Sequence, residues 1–276
     1  MKRCAYAERM DAAQPVVPAL VAAIDAGLRE RATPERAERE RAYLKSEITH
    51  YGTTVPQTRA VVKGALKGVT LSHAELVDAA TLLWAEPVHE RRAAAAALLE
   101  ARSPQLVPSD IVMLERFLRE SRTWALVDDI AATLVGPLVD RASGGASDGA
   151  AHRAELEAVL DRWSTDDDFW IRRSALLAHL VPLREGGGNF DRFARYADTM
   201  LDEREFFIRK AIGWVLRDTS RKRPELVFAW ILPRAAHASG LTVREAIRRL
   251  PDTQQAAVLA ARRKGAASTA ARTNSR

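Results

Sequence analysis

The chain of 276 residues has one cysteine, Cys4, only six histidines, and few aromatic residues at 6%. A single cysteine excludes an intramolecular disulfide and any thiolate metal cluster, and it suits a reducing compartment. The histidines, among them His50, His73, His89 and His179, never fall at a metal-ligand spacing, so neither a metal nor a cofactor is expected. No stretch reaches the roughly 18 uncharged apolar residues of a membrane span, and the N-terminal MKRCAYAERMDAAQ lacks the apolar centre of a signal peptide. The expectation is a soluble, cytoplasmic protein with no membrane partner. At 47% apolar residues the chain is too apolar to be disordered.

Alternating β-branched segments between turn signals are also missing. Apolar residues recur instead at helical spacing. Helices are predicted at about 16–31, 34–47, 56–67, 72–85, 89–101, 109–120, 123–141, 150–163, 167–182, 189–202, 205–219, 224–237, 242–249 and 252–263. Pro34, Pro56, Pro87, Pro104, Pro108 and Pro224 punctuate starts and links, and the acids Asp166 to Asp168 offer an N-cap. The Gly-rich stretches 143–149 and 186–188 read as loops inside one continuous pattern. Residues 1–264 are therefore expected to form a single helical-repeat domain whose first 15 or so residues are mobile, followed by a disordered tail over 265–276.

A weak internal repeat supports this reading. Ile171-Arg172-Arg173-Ser174-Ala175, Ile208-Arg209-Lys210-Ala211 and Val243-Arg244-Glu245-Ala246 are separated by 37 and 35 residues. A branched apolar residue, a basic residue and then small residues that permit close packing is a HEAT-like pattern. The expected fold is an all-α, HEAT-like solenoid (an α-α superhelix) with a concave basic face. Many such arrays are protein-binding scaffolds.

Charge alone says little about the partner. The net charge is +6, but three of those charges lie in the tail from Lys264, leaving +3 on the 263 residues before it. Distribution matters more: residues 170–223 hold twelve Lys/Arg against seven Asp/Glu.

Three segments depart from plain core patterning. Trp124 and Asp128 lie four apart and share a helix face; Arg173 follows Trp170 by three; Lys210, Trp214 and Arg217 align on one face. Taken singly, each has a structural account as a core ring, a solvated arginine or a capping acid. Together, rings, a carboxylate and cations on one surface are costly merely to fold.

The segments YGTTVPQTR (51–59), LWAEPVHERRAAA (83–95), TWALVDDIAATLVG (123–136), FWIRRSALLAHL (169–180), EFFIRKAIGWVLRD (205–218) and TVREAIRRLP (242–251) resemble, in order and spacing, the AlkD-type DNA alkylation-repair glycosylases. The resemblance spans about residues 35–251, and FFIRKAIGWVLR is its most specific part. It implies lesion-facing rings at Trp124 and Trp214, a catalytic carboxylate at Asp128, and backbone-contacting arginines at Arg173 and Arg217. Where members often read Trp-Trp-Asp-x-Val-Asp, this chain has Thr123 and Ala125 in place of the first Trp and the first Asp.

The activity so implied is excision of cationic N3- or N7-alkylated purines from double-stranded DNA, by a monomer, without a lyase step and without extruding the base. Localisation is then cytoplasmic, with nucleoid association when bound to DNA. Lys210, Arg221, Lys222, Arg223 and Arg59 are further candidates for phosphate contact, and 221–223 reads equally as a solvated helix C-terminus. The competing reading is a non-catalytic DNA-binding or protein-interaction scaffold.

Overall fold

The computed structural model describes residues 16–142 and 149–273. Cys4, the N-terminal segment and most of the 143–149 loop lie outside them. Among the described residues the secondary structure is helical, with one isolated bridge between Thr49 and Val88. The chain is all-α, as its periodicity predicts. No described helix is long and apolar enough to cross a membrane. The contacts divide the chain between Leu106 and Val107 into two compact units.

The first unit contains α1 (Val16–Glu30), α2 (Pro34–Leu44), α3 (Val55–Ala65), α4 (His73–Ala85) and α5 (His89–Ala101). Both α3 and α4 begin with reciprocal capping boxes, Thr54 with Gln57 and Ser72 with Glu75, which satisfy amides that the first turn cannot. Helix α5 is central: α1, α3 and α4 all pack on it, and its alanines at 94–97 let those neighbours approach. The acid and arginines of its first turn are buried too, and each finds a partner, Arg91 bonding Asp25 at 2.9 Å and Arg92 lying over the Trp84 ring.

The second unit runs through α6 (Ile111–Ser121), α7 (Trp124–Ile130), α8 (Gly136–Arg141), α9 (Gly149–Trp163), α10 (Phe169–Leu177), α11 (Leu180–Arg184), α12 (Phe190–Thr199), α13 (Phe206–Thr219), α14 (Pro224–Arg234), α15 (Gly240–Ile247) and α16 (Asp252–Thr273). The three repeated segments fall on α10, α13 and α15, where Ile171, Ile208 and Val243 are buried. α10 packs on α13 and α13 on α15. Each of these helices is capped by the residue before it: Asp168 accepts from Trp170, Glu205 from Phe207 and Ser239 from Thr242.

Two predicted helices are interrupted, in both cases upstream of a proline. The stretch 123–141 is α7, a π-helical turn over Ala131–Val135, and α8. Pro137 has no N–H for the carbonyl four residues back, and the widened turn absorbs that loss. The stretch 167–182 breaks at Ala178 and His179 because Pro182 has no N–H for Ala178 O. Gly136 meets that break: a Cβ on it would lie 2.4 Å from Ala178 O.

The sequence leads one to expect a disordered tail over 265–276. Helix α16 continues past Lys264 to Thr273, because the segment is rich in alanine, the best helix former. Residues 274–276 lie outside the described part.

Candidate functional site

Helices α7, α10 and α13 supply the residues singled out in the sequence from the second unit's central part. A left-handed residue, Arg122 at φ 47°, ends α6, and the extended Thr123 turns the chain so that α7 starts immediately. Leu126, Val127 and Ile130 bury one face of α7. The half-buried opposite face carries Trp124, Ala125, Asp128 and Asp129.

On α13 the residues Ile208, Ala211, Ile212, Val215 and Leu216 are buried, and the half-buried face presents Phe207, Lys210, Trp214 and Arg217 at spacings of three and four. Glycine at 213 is what lets α15 lie against this helix. A Cβ there would sit 2.6 Å from Glu245 Cβ and 3.0 Å from Thr242 O.

Arg173 joins the helices. It is 2% exposed on α10, and its Nε and Nη2 donate to the two oxygens of Asp128 at 2.7 and 2.8 Å. Its Nη1 donates to Phe207 O, and the guanidinium lies 5.6 Å from the Phe207 ring centroid. A two-bond fork of this kind fixes the carboxylate plane and its distance at once. Burial pushes the Asp128 carboxyl above the ordinary aspartate value of 3.8, and the hydrogen bonds and charge of Arg173, with the charge of Lys210, oppose that rise. Each carboxylate oxygen gives Arg173 one lone pair and keeps another.

Sequence reasoning placed Arg173 among the arginines that contact a nucleic-acid backbone. In the structure three of its five N–H groups donate inside the protein, to Asp128 and Phe207. It also missed the aromatic cluster beside the pair. Phe169 lies 4.4 Å from Trp170, and Trp170 lies 4.8 Å from Phe207, between ring centroids. The available signal was the aromatic pair that opens both α10 (FW) and α13 (FF).

The remaining cations are less uniform than their sequence pattern. Lys210 is 4.0 Å from Glu245, while Arg217 bonds Glu245 and approaches Asp218 at 3.4 Å. Lys222 donates to Glu185 O at 2.7 Å and Arg223 to Gly187 O at 2.7 Å, so these two tie α14's start to the loop after α11. Arg221, also exposed, lies 4.0 Å from Asp218. Arg59 belongs to the first unit, on α3, where it pairs with Glu100 of α5 at 2.7 Å.

Comparison with known proteins gives this arrangement a family. Among solved structures the chain is similar to a protein from Enterococcus faecalis described as a predicted DNA alkylation repair enzyme. The two share 26% identity and a TM-score of 0.66, over 80% of this chain and 98% of that one. No curated protein sequence matches. The model of the DNA alkylation repair enzyme family matches residues 24–250, which include α7, α10, α13 and every site residue named above, and the chain belongs to that family.

Proposed function

We propose that this DNA alkylation repair enzyme is a monofunctional glycosylase that hydrolyses the N-glycosidic bond of cationic N3- and N7-alkylated purines in duplex DNA. One observation carries the reading: a single carboxylate, Asp128, is held by a buried guanidinium fork one helical turn from Trp124. Alkylation at N3 or N7 leaves the purine positively charged, so the base departs with the electron pair of its bond to C1′ and becomes neutral. No general acid is required. The sugar is left with oxocarbenium character, which an anion stabilises, and a water must add to C1′.

Asp128 suits both tasks. The fork favours its ionised form, while burial, the larger effect, makes it a stronger base than an exposed aspartate. Its remaining lone pairs can orient the water and accept its proton, which then passes to solvent. Arg173 acts as a positioning residue. The electron-rich faces of Trp124 and Trp214 would attract a cationic nucleotide by about 0.5 to 2 kcal/mol per ring. That preference for charge needs no extrusion of the base. Lys210, Arg217 and Arg221 offer positive charge for phosphates, with affinity that falls as salt rises.

The test is release of 7-methylguanine or 3-methyladenine from alkylated duplex by the purified chain, beside a duplex-binding titration. Release of free base supports the glycosylase. Binding without release would favour the alternative, a HEAT-like DNA-binding or interaction scaffold without catalysis.

A further inference from the structure

The proposed chemistry leaves unused a largely buried polar cluster in the first unit. Glu40 on α2, His50 in the loop that follows and Glu90 in the first turn of α5 each bring one ligand atom to within 4.8 Å of the others. Glu90 is 1% exposed, and its two oxygens accept from the amides of Tyr51 and Gly52 at 2.8 and 2.5 Å. One lone pair on each oxygen remains. His50 is 9% exposed, yet neither of its ring nitrogens has a hydrogen-bond partner. Glu40 Oε2 has none either, while Oε1 accepts from Arg36 at 3.3 Å.

A buried carboxylate, a half-buried one and an unpartnered imidazole facing one another are an unfavourable arrangement unless something positive joins them. Arg36 reaches one oxygen of one carboxylate. The imidazole plane is also fixed in advance: His89 stacks on His50 at 4.6 Å between centroids, with 7° between planes.

We infer that Glu40, His50 and Glu90 are the protein ligands of a zinc site. One imidazole nitrogen with two carboxylate oxygens suits a borderline ion that takes three protein ligands and a water. Calcium and magnesium are hard ions that take oxygen ligands, so an imidazole nitrogen in the set disfavours both. The 4.8 Å limit on the ligand atoms exceeds a tetrahedral edge of roughly 3.3 Å for zinc bonds near 2.0 Å, so binding would draw the ligands together. The ion would then staple the 45–54 loop, which delivers Thr54 to cap α3, between α2 and α5. The site is independent of Asp128, which lies in the other unit.

The full chain, stripped of metal with a chelator, is titrated calorimetrically with zinc chloride and melted with and without the ion. Expected are one zinc per chain, a higher melting temperature on binding, and at least a tenfold loss of affinity in His50→Ala and in Glu40→Gln. His237→Ala, which removes an exposed histidine elsewhere, should bind as the wild type does. Absence of stoichiometric binding, or affinity unchanged in both ligand variants, overturns the assignment. Should the variants fail to fold, cobalt(II) added to the wild-type chain decides. Visible bands of a four-coordinate nitrogen and oxygen site support the proposal, whereas a thiolate charge-transfer band from Cys4 or the weak spectrum of hydrated cobalt overturns it.

Discussion

Replacing Asp128 by asparagine separates two effects that the wild-type site combines. The side chain of Arg173 is 3% exposed and that of Asp128 is 13% exposed, so the variant leaves a guanidinium charge in the interior without its counter-ion. Breaking a buried pair by removing one partner costs about 3 to 5 kcal/mol. In a protein of this size each kcal/mol moves the melting temperature by about 2 to 4 °C, so a drop of roughly 6 to 20 °C is expected. Loss of a positioned base should lower the excision rate by a further factor of about 10² to 10⁴, measured well below the variant's melting range.

The double variant Asp128→Leu with Arg173→Met distinguishes the two. Replacing both members of a buried pair by apolar groups is often neutral or stabilising. The double variant should therefore melt near the wild type, well above Asp128→Asn, and still release no base. Calorimetry and a base-release assay read the two quantities on the same preparations. An Asp128→Asn chain that melts with the wild type and excises at its rate refutes both the burial reasoning and the catalytic assignment.

Three further outcomes follow from the same geometry. Gly213→Ala should destabilise the chain by about 1 to 3 kcal/mol in denaturant unfolding, because the new methyl meets Glu245 Cβ and the Thr242 carbonyl at the α13 and α15 contact. The excision rate should fall at acid pH through a value above 3.8, since burial raises the Asp128 carboxyl and its ionised form is the active one; a rate flat to pH 3.8 contradicts this. Hydrogen bonding, chiefly from Arg162, holds the Glu115 carboxyl down to about 2 from 4.5, and Arg192 does the same for Glu157. These lowered carboxyls stabilise the fold fully above 4.5 and lose that contribution as the pH falls toward 2, so the melting temperature should drop across that window and Glu115→Gln should flatten the drop.

Local signals were sufficient for the helices and for the faces they present. The spacing that put Trp124 with Asp128, and Lys210 with Trp214 and Arg217, depends only on helical periodicity, and both sets do share half-buried faces. Prolines were harder to use. Pro137 and Pro182 were visible, but whether each ends a helix or merely widens it depends on how neighbouring groups compensate for the missing N–H. At Pro137 the chain continues through a π-helical turn, whereas before Pro182 it breaks beside Gly136.

The sequence by itself determined the all-α class, the repeat carried by Ile171, Ile208 and Val243, the helix face that Trp124 shares with Asp128 and the one that Trp214 shares with Lys210 and Arg217, and the family resemblance. Only the tertiary structure decided what the charges do. Arg173 read as a cation on a helix face, and the fold pairs it with a carboxylate 45 residues away. Arg217 found Glu245 in the same way. Glu40, His50 and Glu90 show no metal spacing along the chain, yet α2, a loop and α5 bring them within 4.8 Å. Periodicity is a property of neighbours along the backbone, and partner choice in a dry interior is set by contacts that the backbone pattern does not encode.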